Sequence, residues 1–250
     1  MLLSTSRLEE AKIDAEDGSI GKISTFLFDE EHWVVRYIVV RHGFLSLGGS
    51  VLISPVSVTP IQGGDSMKIG LTRDQIKNAP TADLAKPISR AKEEQFHRYH
   101  EIPVYWGGSG LWGSAMTPVE AGTVTYKPES EEEPTEPEEE EYHLRSTGEV
   151  EGYRVQATDG PIGKVVDFVM DDSSWKIHYI HAETPEEIGN GHLYVSPQWV
   201  TGISWIEKQL SISVGRDQLS NVPAVGIQGE LSREDEKRLH VFFGQKPYWE

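Results

Sequence analysis

Two histidines near the end of the N-terminal half could ligate a divalent metal. His97 and His100 stand three residues apart, close to Glu93 and Glu101, and imidazole and carboxylate groups are ligands of zinc and related metals. The C-terminal half has an equivalent of the first histidine, His240, but a phenylalanine at the position of the second. Because the set is not duplicated, a solvated helix face is the favoured interpretation. We expect no metal and no other cofactor, and a metal-dependent or enzymatic module at His97 and His100 is the alternative.

Catalytic and phosphate-binding patterns are weak in this sequence. Gly18, Gly21 and Lys22 superficially resemble a phosphate loop, but they lack the spacing of that motif and stand between two predicted strands rather than before a helix. Nucleophilic catalysis needs a serine or threonine beside an oriented base, and the serines available here stand in turns and helix caps. No pair of carboxylates can be placed in a pocket from the sequence. We therefore expect no catalytic residues and no enzymatic activity.

Aromatic pairs near the end of each half are the strongest candidates for a binding role. They are Tyr105-Trp106 and Tyr248-Trp249. Tyr and Trp are favoured anchors of protein interfaces, and exposed aromatics would mark a docking patch. Folding back on their own core is the alternative. We predict these four residues as protein contacts, together with the outward faces of the strands that begin at Trp33 and Trp175.

The chain contains one module twice. The stretch DGSIGK at 17–22 recurs as DGPIGK at 159–164, and ordered matches continue to Tyr105-Trp106 and Tyr248-Trp249. A period this long indicates duplicated domains rather than a solenoid. We predict copy one at 1–106 and copy two at 144–250, each with a C-terminal helix.

A flexible linker is predicted at 107–143, between the copies. It starts with glycine and serine and continues with a Glu/Pro run that has nine Glu at 129–141. Flexible and self-repelling residues of this kind bury too little apolar surface to order themselves. Leu111, Trp112 and Met116 could nevertheless dock on a barrel.

Composition excludes several classes of partner. The formal net charge is −17, which opposes nucleic acid and anionic lipid, since a nucleic-acid binder needs a cationic surface. The chain has no cysteine, so disulfides and thiol catalysis are absent. No stretch approaches the roughly 20 apolar residues of a membrane-spanning helix, and the N-terminus lacks the features of an export signal. We expect a cytoplasmic protein without membrane insertion.

Each copy is mainly β. Asp17-Gly18 is a hairpin signal, and Trp33 to Arg41 is rich in β-branched and aromatic residues, which favours a central strand. A short helix is stopped by Pro80, and a last helix begins near Ser89 in copy one and Ser232 in copy two. Five or six short strands with flanking short helices predict a small closed barrel.

The ordered set of motifs resembles the PRC-barrel family, which includes the cytoplasmic barrel of the photosynthetic reaction-centre H subunit. The resemblance rests on the D-G-x-I-G-K turn at 17–22 and 159–164, the Phe-x-x-Asp that follows it, the strands after Trp33 and Trp175, and the Ser-Pro-x-x-Val element at 54–58 and 196–200. It implies two tandem PRC-type barrels, and a bacterial, non-enzymatic scaffold for protein–protein interaction. The partner, a protein or an assembly, is not identified, and self-association stays open. An RNA-processing accessory role, by analogy with ribosome-maturation members of the family, is a further alternative that the charge disfavours.

Overall fold

The chain is mainly β with short helices in a computed structural model. The described residues are 1–9, 11–42, 49–59, 66–80, 88–126, 143–226 and 231–249. The strands are β1 (Leu2–Ser4), β2 (Lys12–Ala15), β3 (Gly18–Asp29), β4 (Val34–His42), β5 (Gly49–Ile53), β6 (Ser66–Lys68), β7 (Leu144–Ser146), β8 (Arg154–Ala157), β9 (Gly160–Asp171), β10 (Ile177–Glu183), β11 (His192–Val195), β12 (Val200–Ser204) and β13 (Gln209–Ile212). The helices are α1 (Thr5–Leu8), α2 (Arg73–Lys77), α3 (Arg90–Tyr99), α4 (Pro118–Ala121), α5 (Thr147–Val150), α6 (Arg216–Leu219) and α7 (Arg233–Phe242). None of the helices in these ranges is long and apolar enough to cross a membrane.

The described residues group into two compact units. Unit one comprises Met1, residues 7–147 and residues 171–176, and unit two comprises residues 2–6, 148–170 and 177–250. The units follow the two sequence copies with two exceptions. The first strand of each copy belongs to the other copy's unit, and the turn at 171–176 of copy two belongs to unit one.

The sheet of unit one has the order β5-β4-β3-β2-β6, with β7 paired to β3. β2 and β6 run parallel, and the other pairs are antiparallel. Residues 34–40 of β4 are all buried, which explains why this central strand is almost continuously β-branched or aromatic.

The sheet of unit two has the equivalent order β11-β10-β9-β8-β13, is extended at one edge by β12, and has β1 paired to β9. β13 and β8 form the parallel pair that corresponds to β6 and β2. Among the described residues both sheets are open paths, and no closed barrel is detected. The barrel closure expected from the sequence therefore stays a prediction.

The predicted Asp-Gly turn is confirmed in both copies. Gly18 and Gly160 have φ values of 137° and 149°, a region that glycine adopts without the strain of a side chain. The preceding carboxylates cap the following short helices: Asp17 Oδ1 accepts a hydrogen bond from the Arg73 amide at 2.8 Å, and Asp159 Oδ1 accepts one from the Arg216 amide at 2.8 Å. The turn thus joins the β2–β3 hairpin to α2, and its equivalent to α6.

The exchanged first strands are fixed by side-chain hydrogen bonds. In unit two, Asp167 Oδ1 accepts from Thr5 Oγ1 at 2.9 Å and from the Ser6 amide at 3.0 Å. In unit one, Thr25 stands at the position of Asp167, and its hydroxyl pairs with those of Ser146 at 2.9 Å and Thr147 at 3.1 Å. Thr5 and Thr147 are both fully buried, so each first strand is part of the core that it joins.

The first part of the predicted linker is folded in unit one. Trp112 is 3% exposed, and its indole Nε1 donates to Ser174 O at 2.9 Å. The Gly113 amide donates to Tyr105 O at 2.9 Å, and α4 begins with a capping box formed by Thr117 and Glu120. The flexible character predicted for 107–143 therefore does not apply to this part. The Glu/Pro run at 129–141 lies outside the described residues.

Candidate functional site

Each unit buries a glutamate and a histidine from its long C-terminal helix. In α3 these are Glu93 and His97, and in α7 they are Glu236 and His240, all almost inaccessible to solvent. Residues four apart lie on the same side of a helix, so both side chains of a pair point at the sheet. A buried carboxylate is stable only with hydrogen-bond or charge partners, and those partners define the site.

In unit one, Glu93 is surrounded by groups that donate to it. Its Oε2 accepts from Tyr105 OH at 2.6 Å and from Tyr37 OH at 3.0 Å. Its Oε1 lies 3.3 Å from Arg90 NH1 and 3.0 Å from His143 Nε2. The cluster therefore joins β4, α3, the residue before β7 and the aromatic pair that follows α3.

The ring of His97 is fully occupied within this cluster. Its Nε2 lies 3.0 Å from Tyr37 OH, and its Nδ1 lies 2.9 Å from Pro103 O. The carbonyl can only accept, so Nδ1 carries a proton. Burial lowers the pKa of His97 to about 4, which keeps the ring neutral near pH 7. His97 Nε2 and Glu93 Oε2 are therefore both acceptors for the single proton of the Tyr37 hydroxyl.

Unit two repeats the cluster with the equivalent residues. Tyr179 OH lies 3.3 Å from Glu236 Oε2 and 2.9 Å from His240 Nε2. Arg233 NH1 lies 3.2 Å from Glu236 Oε1 and donates to Tyr248 OH at 3.0 Å. A tyrosine from the sheet, three helix residues and a tyrosine after the helix thus meet in both units.

The electrostatics of the two clusters agree. Burial, followed by the charge of Glu93, raises the pKa of Tyr37 and of Tyr105 well above the ordinary tyrosine value. Burial and the charge of Glu236 raise the pKa of Tyr179 in the same way. The phenols stay protonated and serve as donors to the carboxylates. In unit one the hydrogen bonds form a satisfied network that attaches a helix and a chain segment to a sheet. In unit two the network is similar, but His240 Nδ1 is buried without a hydrogen-bond partner among the described residues.

The space beside Glu93 is too small for a substrate. A cavity of about 50 Å³ is lined by Tyr37, Phe96 and the aliphatic parts of its neighbours, whereas small-molecule sites typically have about 300–1,000 Å³. A larger cavity of about 260 Å³ in unit one lies between Val58, Pro118 and Trp175. It is mostly apolar, with Asp172 and Ser173 at its edge.

The two units differ in the residues that pack against the tyrosine of the aromatic pair, Tyr105 in unit one and Tyr248 in unit two. In unit one, the Arg36 guanidinium pairs with Asp29 at 2.6 Å, stacks 4.0 Å from the Tyr105 ring and donates to Leu111 O. In unit two, His178 replaces Arg36, and its ring stacks on that of Tyr248 at 3.6 Å.

The exposure of the equivalent tyrosines follows from this difference. Tyr105 is 7% exposed, and Tyr248 is 40% exposed. The segment 110–115 packs beside Tyr105 through the hydrogen bonds of Leu111 and Gly113. In unit two, Tyr248 contacts His178, Arg233 and Trp249.

The six aromatic residues predicted as protein contacts fall into three groups. Trp33 and Trp175 are 7% and 2% exposed, so both pack in the core of unit one and present no outward face there. Trp106 and Trp249 are half-buried under the guanidinium groups of Arg90 and Arg233, at 4.0 and 4.1 Å. Tyr105 is buried and Tyr248 is exposed.

The alternative metal site at His97 and His100 receives no support from the geometry. Both ring nitrogens of His97 are occupied by Tyr37 and Pro103. The His100 ring packs on Phe96 at 4.5 Å, and burial lowers its pKa to about 4. Among the described residues, no group of three or more His, Cys, Asp or Glu side chains converges on a metal position.

Sequence reasoning missed the buried cluster, although a signal was present. The tyrosine in the apolar strand β4 and the arginine, glutamate and histidine of α3 all recur at the equivalent positions of copy two. Polar residues that recur together indicate a shared network.

No protein-family description matches the chain, and no curated protein matches it in a sequence comparison.

Proposed function

We propose that this chain is a non-enzymatic scaffold for protein–protein interaction, and that its binding face lies on unit two around Tyr248 and Trp249. The observation that carries the proposal is the difference between the two copies of one cluster. The same buried network supports both aromatic ends, but unit one covers its tyrosine with its own residues, and unit two leaves the equivalent tyrosine 40% exposed.

The covering segment of unit one indicates the chemistry of a partner. It places a tryptophan ring 5.0 Å from the Arg36 guanidinium and presents the carbonyl of Leu111 to the same group. At the equivalent place, unit two offers the His178 ring and the Tyr248 ring as a stacked pair. A protein segment with an exposed aromatic side chain and free backbone carbonyls fits this surface.

The buried cluster beneath the proposed binding face favours tight binding of a partner through a small interface. Tyr248 is held by the hydrogen bond from Arg233, and the Trp249 ring lies under the same guanidinium. Rigid aromatic anchors lose little conformational entropy on binding, and Tyr, Trp and Arg are the residues that most often dominate interface energies.

The finer description, two closed PRC-type barrels in the cytoplasm of a bacterium, belongs to this proposal. It is supported by the same strand order in both units and by the identical Asp-Gly turn and Ser-Pro element. The residues that carry the family resemblance thus occupy equivalent positions in the two copies, in the sheets and in the short 3-10 helices after Ser54 and Ser196.

Photo-crosslinking tests the proposed face with a matched control. A photoreactive phenylalanine analogue is placed at Tyr248, and in a second variant at Tyr99 of α3, a tyrosine that is also 40% exposed. We expect adducts with a distinct protein at position 248 and none at position 99. Combining the probe at 248 with Trp249→Ala should lower the adduct yield several-fold, whereas Trp106→Ala should leave it unchanged.

Mass spectrometry of the adducts then separates the outcomes. A single partner protein supports the scaffold, and a second copy of this chain makes the face a self-association surface. Equal yields at positions 99 and 248, or yields that ignore Trp249→Ala, contradict a binding face at Tyr248.

A further inference from the structure

Two histidine rings meet on the sheet of unit two, away from the buried cluster. In the register of β10 and β11, His181 is opposite Tyr194, and Glu183 is opposite His192. Side chains on directly opposite and diagonal positions of neighbouring strands are close enough to interact. The two imidazoles do so: His181 Nε2 lies 3.1 Å from His192 Nδ1.

The separation of these nitrogens suits a shared metal ion. Zinc and related metals bind imidazole nitrogen at about 2.0–2.1 Å in a tetrahedral arrangement, which places two such nitrogens roughly 3.3 Å apart. The observed 3.1 Å is close to that value. Each ring would turn by roughly 35–40° from its hydrogen-bonded orientation, because its nitrogen lone pair must point at the ion rather than at the other nitrogen.

The position of the first ring is fixed before any ion arrives. The His181 ring stacks on the Tyr194 ring with centroids 4.6 Å apart and planes at 7°, and Tyr194 is only 2% exposed. His192 is exposed, so the pair is open to solvent on one side. A ligand held by packing loses little freedom when the metal binds.

The charges that face the pair favour a dication. Asp167 is opposite His181 on β9, and Glu183 lies between Lys164 and His192 in the register. The Glu183 carboxylate pairs with Lys164 Nζ at 2.9 Å. Two carboxylates against one ammonium give a local excess of negative charge.

We propose that His181 Nε2 and His192 Nδ1 chelate one divalent transition-metal ion, such as Cu²⁺, Ni²⁺ or Zn²⁺, with water at the remaining positions. Imidazole suits these ions, and Cu²⁺ is expected to bind most tightly. The ring that donates the present hydrogen bond moves its proton to its other nitrogen, so two neutral rings bind the ion without net proton release.

Unit one provides an internal comparison. The positions of His181, His192 and Glu183 are occupied there by Val39, Ser50 and Arg41. Arg41 and Ser50 form the same cross-strand pair as Glu183 and His192. The ligands are therefore particular to unit two.

Copper titration of the full-length chain, stripped of metal beforehand, tests the site. Isothermal calorimetry should give one Cu²⁺ per chain, and the electron paramagnetic resonance spectrum should show hyperfine coupling to two imidazole nitrogens. His192→Gln and His181→Ala should each weaken binding by at least about tenfold and reduce the coupling to a single nitrogen. His32→Ala, which changes a half-exposed histidine of unit one, should leave both readouts unchanged.

Circular dichroism confirms that each variant is folded, and His192→Gln is the safer variant because the side chain is exposed. The proposal is overturned if Cu²⁺ binding persists unchanged in His192→Gln and His181→Ala. Ions held by the Glu/Pro run would give that result. A spectrum of the unchanged chain without two-nitrogen coupling overturns it as well.

Discussion

The assignment of β1 to unit two leads to a prediction that differs from what the order of the sequence suggests. Residues 2–6 begin copy one in the sequence, yet they belong to unit two and are attached there by Asp167. Asp167→Ala should therefore release the N-terminus of the chain and destabilise unit two. Unit one should keep its stability, although it begins at the next residue in the sequence, Arg7.

The size of the effect follows from the hydrogen bonds of the carboxylate. Asp167 accepts from Thr5 Oγ1 at 2.9 Å, from the Ser6 amide at 3.0 Å and from Ser6 Oγ at 2.8 Å. A hydrogen bond to a charged group contributes about 1.5–3 kcal/mol, and the gains of neighbouring bonds are not additive. Fully buried Thr5 loses a partner in the variant. We expect a loss of about 3–4 kcal/mol in the free energy of unfolding of unit two.

Hydrogen–deuterium exchange read by mass spectrometry locates the loss. In Asp167→Ala, peptides from β1 and β9 should exchange roughly a hundredfold faster or more, because each 1.4 kcal/mol corresponds to a factor of ten. Peptides from β3 and β7 should exchange as before. Thr25→Ala is the matched control: it removes two neutral hydroxyl contacts at the equivalent position of unit one, so it should cost about 1 kcal/mol and act on β3 and β7.

Two results would refute this reasoning. If β2 and β3 lose protection in Asp167→Ala, the first strand belongs to unit one, as the sequence order implies. If β1 keeps its protection, the carboxylate does not attach it.

Three further predictions concern the buried cluster and the turns. Tyr105→Phe should lower the free energy of unfolding by about 1.5–3 kcal/mol, since it removes a donor to buried Glu93, whereas the more exposed Tyr248→Phe should cost less than about 1 kcal/mol in the same urea titrations. Gly18→Val should cost more than about 1 kcal/mol because its φ of 137° strains a β-branched residue, and an unchanged melting temperature would contradict this. Burial lowers the pKa of His97 to about 4, so as the pH falls from 6.5 to 4 the unfolded chain binds a proton that the folded chain does not. The free energy of unfolding should therefore fall over this range by up to about 1.4 kcal/mol per pH unit. In His97→Gln the free energy of unfolding should change less with pH.

Local signals in the sequence predicted the elements correctly. The Asp-Gly turn, the apolar strand after Trp33 and the last helix after Ser89 each depend on a few neighbouring residues, and the structure contains all three. Ser232 and Asp235 form the capping box that their spacing predicts. Such features follow from short-range sterics and hydrogen bonds, which a single sequence records.

The strand exchange could not be predicted in the same way. β1 and β7 have similar sequences, LLS and LRS, and each could pair with β3 or with β9 on pattern alone. The choice depends on long-range contacts, such as that of Asp167 with Thr5, whose partners are far apart in the chain. Periodicity indicates which residues face a core, but not which core they join.

The burial of the Trp33 and Trp175 side chains could not be predicted from the sequence for a related reason. Both residues have positive φ values, 57° and 61°, which turn the chain immediately before β4 and β10 and direct the ring inward. Trp33 stacks on Phe28 at 5.2 Å, and Trp175 lies 6.5 Å from Phe26. A left-handed residue ahead of a strand is a conformational choice that composition does not indicate.

The buried cluster gives a physical reason why the copies agree in some places and differ in others. Removing all compensation from a buried charge costs about 3–5 kcal/mol, so the partners of Glu93 constrain one another, and so do those of Glu236. Positions outside the network, such as those of Arg36 and His178, carry no such coupling across the repeat. The difference lies above the network: one copy has a cover over its tyrosine, and the other has an exposed ring on a similar support. A duplicated fold of this kind can differ in its exposed surface while its two cores keep the same hydrogen-bonding residues.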